Sequence, residues 1–218
     1  MQDLSDFMYQ TSQSEDVKKI VIFLHGYGAD GKDLISIAPL WVESLPKGTV
    51  FYAPNAPEAC EMSPMGFQWF SLADRSPQAM RDGAKKAYPV LKNYIEQKCK
   101  KHGVSLSDVI IVGFSQGTMM ALYTMPQLET ACAGVLGYSG RLVGSEDIKA
   151  NLNAKFPISA VHGTADEVVP FESLAMIEDG FKSMGFEDIK THSSTGLGHG
   201  IDEFGIRIGL EFLRKQLN

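Results

Sequence analysis

Six short apolar runs punctuate the chain, at residues 20–24, 50–53, 109–112, 133–138, 158–161 and 189–192, each rich in β-branched or aromatic side chains. Most lack polar alternation. A run apolar at nearly every position suits a strand covered on both faces, as in a parallel sheet with helices packed on either side. Between the runs the apolar period lengthens to that of a helix. The last such stretch puts Ile201, Phe204, Ile208 and Phe212 on one face, with Asp202 and Glu203 opening it and Arg214 and Lys215 closing it. An earlier stretch starts with Pro170 in its first turn, buries Leu174, Ile177 and Phe181, and stops at Gly185. Over residues 80–99, Ala84, Tyr88, Leu91, Ile95 and Cys99 share a face, and Pro89 predicts one bent helix there. Strand and helix in alternation define an α/β fold, with a mostly parallel central sheet flanked by helices on both faces.

The 218 residues are 44% hydrophobic and 21% charged, and no linker or charge block divides them, so a single domain over 1–218 is expected. A formal net charge of -6 argues against a nucleic-acid partner, which would require clustered Lys and Arg. The longest basic cluster, around Lys98, Lys100 and Lys101, reads as the solvated end of a helix. Cys60, Cys99 and Cys132 match neither a CxxC pair nor a zinc pattern and read as free thiols in a reducing compartment. Asp3, Asp6, Glu15 and Asp16 stand where a signal peptide would want positive charge, and no run approaches the ~18 apolar residues of a spanning helix. A cytoplasmic protein without an integral membrane segment is expected.

The motif G-x-S-x-G occurs once, at Gly113, Ser115 and Gly117, after the run 109–112 and before helical-looking residues 118–123. With 18 serines and 21 glycines in 218 positions, roughly one shuffled chain in six would contain it, so its context has to decide. A serine on a sharp strand-to-helix turn presents its hydroxyl above the sheet, and flanking glycines let neighbouring backbone pass close by. The bland alternative is a glycine-rich turn whose serine caps a helix.

Serine becomes a nucleophile only when a base removes its proton, so a histidine and an orienting acid are required later in the chain. His162-Gly-Thr-Ala-Asp166 follows the run 158–161, and Gly196-Leu-Gly-His199-Gly follows 189–192. Both segments fall at the carboxyl edge of the expected sheet, where open α/β folds place their sites. Of the other histidines, His102 ends a charged helix, His192 lies within a strand, and His25 and His162 belong to other loops. His199 is therefore the expected base and Asp166 the expected acid. The competitor Asp202 is placed inside the last helix, where the dipole accounts for it.

An acyl-transfer site also needs donors for the developing oxyanion. The amide of Gln116 opens the helix after the serine, and Leu24-His-Gly26-Tyr-Gly28 follows the first run, offering Tyr27 N–H first and Gly28 N–H second. Between residues 58 and 72 lie Met62, Met65, Phe67, Trp69, Phe70 and Leu72, more large apolar groups than a surface connection normally exposes. They are expected either to line an acyl-chain groove as a flap or to finish the core under a long loop.

The strings FLHGYGADG at 23–31, FQWF at 67–70, GFSQGT at 113–118, HGTADEVVP at 162–170 and GHGID at 198–202 resemble, in this order and over nearly the whole chain, the phospholipase/carboxylesterase family that includes the acyl-protein thioesterases. The resemblance implies the α/β-hydrolase fold and a serine esterase or thioesterase with a triad of Ser115, Asp166 and His199. It further implies an oxyanion hole from the amides of Tyr27 and Gln116, and neither a metal nor an organic cofactor. It brings acyl-ester or thioester substrates; small esters, lysophospholipids and S-acylated proteins all demand the same triad, and the sequence leaves both the choice among them and the oligomeric state, monomer or homodimer, open. Tyr27 stands where such proteins usually carry leucine, and Thr118 replaces a common second glycine; both are expected to narrow the acyl pocket. The alternative from another class is a catalytically silent protein that uses the same fold to hold a ligand.

Overall fold

The protein is described here by a computed structural model covering residues 3–10 and 16–218; Glu15 lies outside the described residues. In chain order the strands are β1 (Asp6–Tyr9), β2 (Lys19–Leu24), β3 (Thr49–Pro54), β4 (Glu58–Ala59), β5 (Phe67–Gln68), β6 (Val109–Phe114), β7 (Gly134–Tyr138), β8 (Ile158–Gly163) and β9 (Ile189–Ser194). The helices are α1 (Gly31–Ile35), α2 (Ala38–Trp41), α3 (Pro77–His102), α4 (Gln116–Thr124), α5 (Ser145–Ala150), α6 (Ser173–Ser183) and α7 (Glu203–Leu217).

All six apolar runs are strands. Among the described residues they build, with β1 added at one edge, a seven-stranded sheet in the order β1-β3-β2-β6-β7-β8-β9, with only β1 antiparallel, and β4 pairs with β5 in a separate hairpin. Alternate residues of each strand serve opposite faces. Ile20, Ile22, Val109 and Ile111 pack with Leu91, Ile95 and Phe181 on one side, while Val21, Phe23, Ile110 and Val112 pack with Trp41, Phe212 and Leu213 on the other. The continuous apolar runs follow from this double cover.

The single helix expected around Pro89 is present, and two other helix starts differ from the expectation, each for a local reason. Pro89 neither breaks nor ends α3, which runs for 26 residues. Pro89 and Lys85 are both exposed, so the carbonyl that the missing N–H leaves open faces water. Pro170 does not open α6: Ser173 N–H donates to Pro170 O at 2.9 Å and Leu174 N–H to Phe171 O at 3.0 Å, making a separate turn before the helix. Asp202 is not inside α7 but is its N-cap, its Oδ1 accepting the Gly205 N–H at 2.8 Å. Among the described residues no helix is long and apolar enough to cross a membrane.

The strand order also says where a site belongs. From β2 the chain steps outward to β3, then returns past β2 to β6 and proceeds the other way. The crevice at the carboxyl ends of β2 and β6 is thus a topological switch point, where connections leave in opposite directions and open a cleft. Residues 25–30 follow β2 there, and Ser115 follows β6.

Candidate active site

Ser115 sits at the joint between β6 and α4 with φ 51° and ψ -114°, a conformation that a residue with a side chain adopts only under strain. Its N–H donates to Tyr138 O at 2.9 Å, fixing the turn to β7. Glycine is required on both sides: a Cβ on Gly117 would lie 1.9 Å from Leu24 O, and one on Gly113 would lie 2.5 Å from Thr118 N. The turn can therefore wedge between two strands and lift the hydroxyl into the cleft.

His199 Nε2 lies 3.0 Å from Ser115 Oγ, and His199 Nδ1 lies 2.8 Å from Asp166 Oδ2. The loops carrying these two residues are tied to each other. Thr164 N–H donates to Ser194 O and Ala165 N–H to Leu197 O, both at 2.9 Å, and a Cβ on Gly163 would collide with Leu197 O at 2.2 Å. The Phe114 ring packs on the imidazole with centroids 4.9 Å apart. Asp166 Oδ1 accepts the N–H groups of Val168 and Val169, each at 2.9 Å. Burial pushes this carboxyl up, but the bonds from His199, Val169 and Val168 outweigh it and hold its pKa below the ordinary carboxylate value. The stabilisation this represents is complete above the unfolded pKa and is lost only as pH falls through the lower folded one.

His162 belongs to β8 and not to a separate loop. Its Nε2 reaches Val169 O at 2.9 Å and Asp166 Oδ2 at 3.2 Å, the same carboxylate oxygen that His199 meets. Asp202, the competing acid, is occupied by the α7 cap and by the Ser194 hydroxyl.

The loop after β2 is held by groups whose role no local motif announces. His25 is fully buried; its Nε2 accepts the Ala56 N–H at 2.9 Å, so the ring proton is on Nδ1 and is donated to Gly26 O at 2.7 Å. Burial lowers the His25 pKa and keeps the ring neutral. Gly28 N–H donates to Phe67 O at 2.9 Å and is unavailable to a ligand. Among the described residues Tyr27 N–H has no such acceptor, and Gln116 N–H, the first of α4, has no intrahelical one.

Of the large apolar residues in segment 58–72, only Leu72 reaches the cavity beside Ser115, and the others do not line it as a flap would. Met62 and Met65 are 82% and 89% exposed at the tip of the β4–β5 hairpin, whereas Trp69 and Phe70 are buried in the core. Phe67 packs against that core and on the edge of His25. The Gln116 side chain clamps the return strand, Oε1 accepting Trp69 N–H at 2.9 Å and Nε2 donating to Phe70 O at 2.8 Å. These residues brace the loop after β2 from behind. The cavity beside Ser115 and His199, about 220 Å³, is instead walled by Leu72, Met80, Phe114, Met119, Val168 and Val169. Tyr27, Arg75 and Arg141 add polar tips, and burial with the neighbouring Cys60 pushes the Tyr27 phenol up to about 12.

Thr118 does not reach this cavity. Buried under β7, its Oγ1 donates to Tyr138 O at 2.9 Å and accepts Tyr138 N–H at 3.1 Å. Thr118→Val keeps the shape but strands that N–H, so a loss of about 1 to 3 kcal/mol is expected, read as a lower urea midpoint at unchanged m-value.

An open, mostly parallel sheet with a strained serine at its switch point, followed in chain order by an aspartate and a histidine on adjacent loops, defines an α/β-hydrolase. The sequence model of the phospholipase/carboxylesterase family matches residues 9–217. The chain belongs to that family and is a hydrolase of esters or thioesters. Acyl-protein thioesterase 1 of Candida albicans is 29% identical over 219 residues, spanning 93% of this chain and 94% of its own. Acyl-protein thioesterase 1 homolog 1 of Dictyostelium discoideum is 30% identical over 205 residues, 90% of each chain. Among solved structures, that of esterase PE8 is similar at a TM-score of 0.92 and 38% identity, covering 98% of this chain and 99% of that one.

Proposed function

We propose that the chain is a carboxylesterase of small, short-acyl esters and thioesters, working through a Ser115–His199–Asp166 triad and an acyl-enzyme. The observation that carries the reading is the unbroken hydrogen-bonded line from Ser115 Oγ through the imidazole to Asp166. His199 takes the serine proton as Oγ attacks the carbonyl carbon, then gives it to the departing alcohol or thiol. Water, deprotonated by the same imidazole, releases the acid. Asp166 keeps the proton on Nδ1 so that Nε2 is free to accept. The amides of Tyr27 and Gln116 receive the oxyanion, each such donor contributing about 2.7 to 4 kcal/mol in the transition state.

The size of the cavity supports small substrates over lysophospholipids and long-chain S-acylated proteins. At about 220 Å³ it is below the roughly 300 to 1,000 Å³ of pockets that enclose drug-sized ligands. The test is kcat/KM on nitrophenyl esters of graded chain length, with a fluorophosphonate label mapped by peptide mass. Highest kcat/KM on the shortest acyl groups and a label on Ser115 are expected. A preference rising steadily to long chains would overturn the short-acyl assignment, and a label on any other residue would overturn the triad.

A further inference from the structure

The cavity beside Ser115 has Arg75 and Arg141 among its lining residues and no carboxylate. In a chain of net charge -6 this is a local inversion of sign. Among the described residues neither arginine has an ion-pair partner, whereas nearby Arg81 is bound through two nitrogens to Asp147, at 2.6 and 2.9 Å. Asp74, next to Arg75 in sequence, accepts the Ser76 N–H at 2.8 Å, and Glu61, whose charge acts on Tyr27, accepts from the Ser71 hydroxyl at 2.8 Å. With its pKa at about 12, the Tyr27 phenol is neutral and supplies no counter-charge.

Arg141 is also placed by rigid backbone. It follows β7 through Ser139, whose φ of 45° lies in the left-handed region, and Gly140, where a Cβ would lie 2.3 Å from the Thr118 side chain. Ser139 N–H donates to Val161 O at 2.9 Å. Arg141 itself is half-buried. A partly desolvated guanidinium without a partner is a standing electrostatic cost that an anion in the cavity would relieve.

We infer that Arg141, with Arg75, forms an anion subsite that selects esters or thioesters carrying a carboxylate a few carbons from the scissile carbonyl. The inference rests on the hydrolase reading above and narrows its substrate class. A carboxylate meeting the planar fork of an arginine makes paired, charge-assisted hydrogen bonds that a methyl group cannot.

The test uses matched pairs on the wild-type protein, followed by pH-stat: monoethyl glutarate against ethyl pentanoate for an acyl-side charge, and pentyl acetate against its carboxylate-ended counterpart for an alcohol-side one. In at least one pair the anionic member is expected to have the higher kcat/KM by about ten- to a hundredfold, narrowing as ionic strength rises. Arg141→Gln should collapse that ratio toward one, and Arg141→Lys should keep part of it, since charge survives while the fork is lost. Ratios at or below one in both pairs, with the neutral esters turned over, would overturn the subsite. So would a ratio that survives in both Arg141→Gln and Arg75→Gln. No turnover of any of the four esters by the wild type overturns the hydrolase reading itself, and the subsite with it.

Discussion

Ser115→Ala is expected to lower kcat on any nitrophenyl ester by about a millionfold, the loss that follows when the serine of such a triad is removed elsewhere. The substitution should leave the fold intact, because among the described residues the one hydrogen-bond partner of Ser115 Oγ is His199 Nε2, while the turn is held by the Ser115 amide and by the packing of Gly113 and Gly117. Stability makes a second readout. Alanine inherits the strained φ of 51°, so Ser115→Ala should melt close to the wild type. Glycine tolerates that angle, so Ser115→Gly should be equally inactive yet more stable than Ser115→Ala by about 1 kcal/mol or more. An inactive but stabilised glycine variant would mean that the protein keeps a strained residue there for its hydroxyl. A ligand-binding protein without catalysis would have no reason to retain that strain. Residual turnover above about a thousandth of the wild-type rate in Ser115→Ala would show that another group attacks the ester.

What the sequence makes legible here depends on how local its cause is. The apolar runs betray the central strands because both faces of the sheet are covered, so every position in them must be apolar. β1 leaves no such trace: it is four residues long, only partly buried, and pairs on one side alone. Ser115, Asp166 and His199 are legible because each stands just past a strand end in a short glycine-containing string, and the switch point gathers those ends. The choice between Tyr27 and Gly28 as donor is not local. It turns on Phe67, whose carbonyl takes the Gly28 N–H from a hairpin far along the chain. Apolar density between residues 58 and 72 cannot separate a cavity wall from a core plug, and Trp69 proves to be the latter. Thr118 shows the same limit, because its departure from the family pattern lies one turn past the nucleophile yet points beneath β7. The cavity wall itself comes from Arg75, Met80, Met119, Arg141 and Val168, five positions on different segments with no shared motif.

Asp166→Asn should cost about ten-thousandfold in kcat while sparing the fold, and the surroundings of the carboxylate say why the loss would be so large. Oδ1 accepts two N–H groups, from Val168 and Val169, so an asparagine there must turn its carbonyl oxygen to them and its NH₂ toward His199. Facing a donor, His199 Nδ1 must accept, and the imidazole proton moves to Nε2, 3.0 Å from Ser115 Oγ. That nitrogen then has no lone pair for the serine proton. The base is disabled by its tautomer while every heavy atom stays near its place, and a drop of about 10⁴ is the size reported for the same exchange in another serine triad. His162 makes this orientation costlier still: its Nε2, 3.2 Å from Oδ2 on the same oxygen that His199 meets, carries the proton given to Val169 O and cannot donate to an amide NH₂. Measured at neutral pH beside a thermal melt, a loss of less than about tenfold with the melt unchanged would mean that the aspartate neither sets the tautomer nor orients the base. A collapse of the melt together with the rate would assign Asp166 chiefly to holding the loop after β8, and Asp166→Ala, which frees both amides and the imidazole at once, should then unfold the protein further without a separate effect on the chemistry.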